Sequence, residues 1–134
     1  GIDATAQGAR VVTTSDITTV TIADAGLTNP LELRAEKTRL WWGSVAGATS
    51  YDVVRGSLVP LRTSGGNFAL GTVTQLCAAN NSVSTFWLPA ESPAPGEGVW
   101  YLVRSQPGGS YDTGAPSQAG SRDAEIAASG NACP

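Results

Sequence analysis

Apolar side chains along this chain recur at every second position, in short runs separated by Gly, Pro and Asn. No segment sustains the i, i+3, i+4, i+7 spacing of an amphipathic helix. The clearest alternations are Leu31 with Leu33, Thr38 to Trp42 with Leu40 and Trp42 on one face, and Thr49 to Arg55. In the last of these, Tyr51 and Val53 share one face and Asp52 and Val54 the other. Val99 to Arg104 is the most strand-like run. Ser82 to Leu88 reads as a further strand stopped by Pro89, and Ser121 to Ile126 as the last one. Asp123 to Ala128 has room for one helical turn. Leu58 to Leu61 reads as a short edge piece, because Pro60 cannot donate to a ladder. Phe68 to Asn81 is looser, and Gly56 reads as a strand end. Six or seven short strands with turn clusters between them predict an all-β fold, an antiparallel β-sandwich.

The first 30 residues have a different texture. Arg10 to Ile22 is dense in β-branched residues and has no aromatic. Ser15 and Asp16 offer a hairpin turn; the alternative is one long extended arm. Such a segment either adds edge strands to its own sheet or offers a strand to a neighbouring subunit, with Val12, Ile17, Val20 and Ile22 as contact residues. Ala25 to Pro30 marks the boundary, so the chain divides into an extension at 1–30 and a domain at 31–134.

Composition narrows the chemistry. The 134 residues suit one domain, and only 14% are charged. There is no His, which removes the commonest general base and metal ligand. The carboxylates read as solvated surface charges, and no Gly-x-Ser-x-Gly turn is present. An enzyme is not expected, nor a cofactor or a metal. The net charge is −3 and the seven Arg are scattered singly, so nucleic acid is not an expected partner. No apolar run approaches the roughly 20 residues of a membrane span.

Cys77 and Cys133 lie outside any CxxC or Cys/His cluster. They form either a disulfide tying the C-terminal end to the middle of the domain or two buried free thiols. A disulfide would imply an oxidising compartment. With no Met at its start, Gly1 reads as a processed end, pointing to export through a cleaved signal to the cell surface or beyond. Asn80 to Ser82 fits an N-glycosylation sequon.

The run from Leu40 to Gly56, with its Leu-Trp-Trp, Gly47-Ala48 and Tyr51 opening an alternating strand, resembles the B-to-C hairpin of a fibronectin type III domain. Gly96 to Arg104 resembles the approach to strand F and strand F itself. The resemblance covers residues 31–134 and implies a fibronectin type III or immunoglobulin-like sandwich with an extra N-terminal β extension. It assigns Trp42 to the core tryptophan, Tyr51 to the aromatic opening the third strand, and Tyr101 to the corner tyrosine. The family serves as spacers, binders and filament units alike, so it does not fix a function.

Adjacent aromatics on a strand face opposite ways, so Trp41, Trp87 and Trp100 are candidates for an outward surface. The expected role is a non-enzymatic structural subunit of an extracellular assembly, a pilus or filament. Its partners would be copies of itself or a helical pilin-like chain. The other reading is a carbohydrate-binding or adhesive module of a larger secreted protein, with a glycan stacked on those indoles.

Overall fold

The computed structural model describes the backbone at residues 9–13 and 19–24, and the chain in full at 33–36, 38–90, 92–112, 116, 118 and 120–134. Its strands are β1 (Ala9–Thr13), β2 (Thr19–Asp24), β3 (Leu33–Ala35), β4 (Leu40–Trp42), β5 (Ser50–Ser57), β6 (Thr74–Ser82), β7 (Phe86–Trp87) and β8 (Val99–Gln106). Two short helices, α1 (Leu58–Thr63) and α2 (Arg122–Ala128), complete the described elements. The fold is therefore mostly β. One sheet runs β1-β2-β8-β5-β6 and the other β3-β4-β7. All pairs are antiparallel except β2 with β8, which run parallel from Thr19 beside Val99 to Ala23 beside Val103. That pair corrects the all-antiparallel expectation: an N-terminal strand, distant in sequence from β8, is free to approach from either direction.

β8 occupies the middle of the larger sheet, and both of its faces are buried. Trp100 and Leu102 face one cluster, with Val54 of β5, Leu58 and Leu61 of α1, and Phe68, Val73, Tyr111, Ile126 and Cys133. Val99, Tyr101 and Val103 face the other, with Tyr51 and Val53 of β5 and with Leu33, Leu40 and Trp42 of the small sheet. The small sheet covers one side of the larger sheet and the helices and tail cover the opposite side. A strand buried on both faces reads as a continuous apolar run, as Val99 to Val103 does.

Trp100 is thus fully buried, which removes it from the expected outward aromatics. Its indole lies across Gly56, its register partner on β5, and Nε1 donates to the Ser57 carbonyl at 3.1 Å. Phe68 meets the same indole edge-on at 5.1 Å between centroids. Gly56 does not end β5. It leaves room for the indole, since a Cβ there would stand 1.7 Å from the Val73 carbonyl oxygen and 2.4 Å from Trp100 Cζ2.

Several local expectations are corrected. Leu58 to Leu61 is helical, because Pro60 falls in the first turn, where its missing N–H is not needed. The stretch read as the last strand is instead α2, Arg122–Ala128, which contains the turn for which Asp123 to Ala128 had room: Ser121 caps it by accepting from the Ala124 N–H at 3.2 Å. Asp123 and Glu125 sit in its first turn, where carboxylates suit the helix dipole. The looser stretch holds most of β6, which ends at Ser82, and beyond it only Phe86–Trp87 of the run 82–88 is strand. β4 and β5 belong to different sheets, so the segment between them is a crossover and not a hairpin.

Cys77 of β6 and Cys133 are joined by a disulfide, with their Cα atoms 4.9 Å apart. Beside it, Asn131 Nδ2 donates to the Thr74 carbonyl at 2.8 Å. Together they hold the tail behind α2 against the larger sheet. Closing a loop of this length contributes about 4 kcal/mol in the chain-entropy picture.

Two outcomes follow. Replacing both cysteines by Ala lowers unfolding free energy by about 4 kcal/mol in denaturant titrations, and limited proteolysis then cuts first beyond Gly120. Gly56→Ala destabilises at or above the upper end of the roughly 1–3 kcal/mol that overpacking costs, because backbone as well as indole must move.

Candidate interaction surface

The charged residues of the interior come first, since they set what remains outside. Asp52, on β5, is completely buried. Its register partner on β8 is Arg104, whose Nε donates to Asp52 Oδ2 at 3.0 Å with a second guanidinium nitrogen at 2.9 Å. Gln106 Nε2 donates to the same oxygen at 2.7 Å, and the Asn81 N–H reaches Oδ1 at 2.9 Å. The carboxylate is therefore saturated by protein groups.

Arg104 continues the chain of contacts. Its guanidinium lies 4.8 Å from the centroid of the Tyr111 ring and 3.9 Å from Asp123 Oδ1. Asp123 accepts from the Tyr111 N–H at 2.9 Å and from the Ser110 hydroxyl. Asp112 accepts from Gln118 Nε2 at 2.7 Å, from the Arg122 N–H at 2.5 Å and from the Ser121 hydroxyl at 2.9 Å. This network fastens the segment after β8 and the start of α2 to the sheet. Partial burial would push the Asp112 carboxyl up, but hydrogen bonds from Ser121, Arg122, Gln118 and Asp123 outweigh it and hold it below the usual carboxylate value. Burial raises Tyr111 well above an ordinary phenol; nearby Arg104 opposes the shift, and Asp52 and Asp123 add to it. The Tyr111 hydroxyl is buried and makes no hydrogen bond among the described residues.

The network has the character of a latch between β5, β8 and the segment leading into α2. Among the described residues no group of three or more His, Cys, Asp or Glu side chains could hold a metal ion. No described helix is long and apolar enough to cross a membrane.

The outward chemistry lies on the three-stranded sheet. Leu40 and Trp42 of β4 are buried, and Trp41 between them faces away from the core, half-buried. In register with Trp41 stand Arg34 on β3 and Phe86 on β7. Phe86 is 49% exposed, and Leu88, two residues on, is 59% exposed. The Arg39 guanidinium sits 4.5 Å from the centroid of the Trp41 ring, and its terminal nitrogen is 4.0 Å from Glu36. The result is an aromatic and basic face that crosses all three strands of the small sheet, with Trp41 on its central strand.

The other sequence candidates fall as follows. Trp42 and Tyr51 meet edge-on in the core at 5.7 Å, and the Tyr51 hydroxyl accepts from the Val45 N–H at 2.9 Å. Tyr101 is buried in the same cluster. Trp87 is half-buried and packs on that cluster, so it lies on the opposite side of its sheet from Trp41 and Phe86. Val12 and Val20 belong to β1 and β2, as does Ile22, which pairs with Val11; Ile17 lies outside the described residues. Phe86 and Leu88 were not singled out by sequence reasoning. The signal was there in alternation about Trp87, which sets its two neighbours on one face.

A cleft of about 800 Å³ opens elsewhere, between the loop at 92–98 and Arg55, Val59, Pro60 and Gln75. Arg55 donates to Gln75 Oε1 across its wall at 2.6 Å. No protein-family model matches the chain, and no curated protein or solved structure is significantly similar to it.

The latch has a pH signature. Tyr111 folds best protonated, so its contribution is intact below a phenol's ordinary value of about 10 and declines as pH rises beyond it. Asp112 folds best ionised, so its contribution is intact at neutrality and declines as pH falls through its lowered value. Unfolding free energy measured across pH then falls at both ends. Tyr111→Phe keeps neutral-pH stability within about 1 kcal/mol, because no hydrogen bond is lost, and flattens the alkaline limb.

Proposed function

We propose that this chain is a non-enzymatic structural subunit of an extracellular assembly, a pilus or filament, built on a fibronectin type III-like sandwich. The observation that carries the reading is the outward face of the small sheet, where half-buried Trp41 stands in register with exposed Phe86 and Leu88 follows two residues on. Large apolar side chains held outward on a sheet face are what a protein contact requires. The disulfide suits an oxidising compartment outside the cytoplasm, which agrees with export.

Support for the sandwich comes from Trp42 and Tyr51, which share one cluster between the two sheets, and from the β4-to-β5 crossover linking them. The β-branched strands β1 and β2 extend the larger sheet beyond β8. Their outer edge is the second surface through which a neighbouring subunit, a copy or a helical pilin-like chain, would be engaged. A saccharide-binding module is the second reading, favoured by the same Trp41 and Phe86 face, since indole rings also stack on sugars.

Electron microscopy of the full chain at high concentration tests the proposal. Filaments are the expected result, and a chain lacking residues 10–23 stays folded by circular dichroism yet forms none. Filaments from that truncated chain would remove the arm from the account. Glycan binding abolished by Trp41→Ala, without any assembly, would replace the proposal by the second reading.

A further inference from the structure

We infer that the basic aromatic face of β3-β4-β7 receives the 92–97 loop of a second copy of this chain. The inference rests on the assembly reading and names the contact within it. Segment 34–39 carries Arg34, Lys37 and Arg39 against one acid, Glu36, in a chain whose net charge is −3. The connection from Ala90 to Gly98 has the opposite character: it carries Glu91 and Glu97, two prolines and no cation. Acidic and basic surfaces of this kind steer and orient association.

Shape agrees with charge. The Ala94 carbonyl accepts from the Glu97 N–H at 3.0 Å, closing a turn with Pro95 and Gly96 at its centre, Gly96 having φ of +85°. Proline fixes one corner and glycine supplies the left-handed one, so the turn is set before binding and loses little freedom on docking. Ala94, Pro95, Gly96 and Glu97 are all exposed. A protruding proline beside a carboxylate matches an aromatic surface beside a guanidinium, since aromatic-lined surfaces are established receivers of proline-containing segments.

Geometry makes the contact intermolecular. The loop borders Arg55, Ser57, Val59, Pro60 and Gln75, which belong to β5, α1 and β6 and not to β3 or β4. Knob and receiving face are different patches, so their union is head-to-tail and grows openly unless the rotation closes a ring.

Sedimentation velocity on the full chain over a concentration series tests this. Wild type is expected to associate, Arg39→Glu and Glu97→Arg each to weaken association by about tenfold, and the double variant to recover most of it. Both positions are solvent-facing, and circular dichroism checks that each variant folds. Association unchanged in both single variants, or a double variant no better than either, overturns the contact and leaves the assembly reading standing. A chain that associates only on addition of a different protein has the same consequence. A wild type that stays monomeric at every concentration, alone and with other proteins, overturns both.

Discussion

The structure depends on the burial of one strand from both sides. Residues Val99 to Val103 alternate between two apolar clusters, with Trp100 and Leu102 on one side and Tyr101 between its valines on the other. Leaving either side bare would return an aromatic ring of 150–250 Å² to water, so both layers are required. The small sheet supplies one cover through Leu33, Leu40 and Trp42. The other comes from α1, Phe68, Tyr111 and α2, elements too short to be stable alone. They persist because Trp100 and Leu102 hold them, and because the disulfide and the Asp52–Arg104 latch hold the chain that carries them.

That requirement explains how so few charges are used. Asp52 and Arg104 stand opposite each other across β5 and β8, and Asp112 and Asp123 take up backbone and hydroxyl donors of the segment leading into α2. A buried ion pair is weak evidence for stability in itself, but removing one partner leaves an uncompensated charge. Such a pair therefore fixes the register of the two central strands. With these groups engaged in the latch, the small sheet's outward face keeps Trp41, Phe86 and Leu88 flanked by Arg34 and Arg39, a surface suited to contacts between rigid blocks.

Much of this was legible in the sequence. β4, β5 and β8 follow from alternation and from aromatic and β-branched residues, and their observed bounds differ from the pattern by two residues or fewer. Trp42, Tyr51 and Tyr101 take core positions. Trp100 was misread because neighbours on a strand point opposite ways and only one face was assumed dry; the unbroken run Val99 to Val103 signals two. β6 carries small and amide side chains, Ala78, Ala79, Asn80 and Asn81, whose pairing is set by its neighbour β5. α1 and α2 are single tertiary-stabilised turns or slightly more, below the length at which periodicity speaks. The latch was illegible because Asp52 and Arg104 meet only once β5 and β8 are in register. The outward face of Trp41 was half-visible: one of two adjacent indoles had to face out, but its partner Phe86 comes from a strand of two residues.

Native-state hydrogen exchange read over β8 tests the doubly covered strand most directly. Amides of Val99 to Val103 should exchange only through global unfolding, as the slowest group in the domain, with protection matching the free energy from denaturant titration. Exchange at β8 faster than at β4 or β6, through local opening, would mean that one cover is not held in place and would contradict the account.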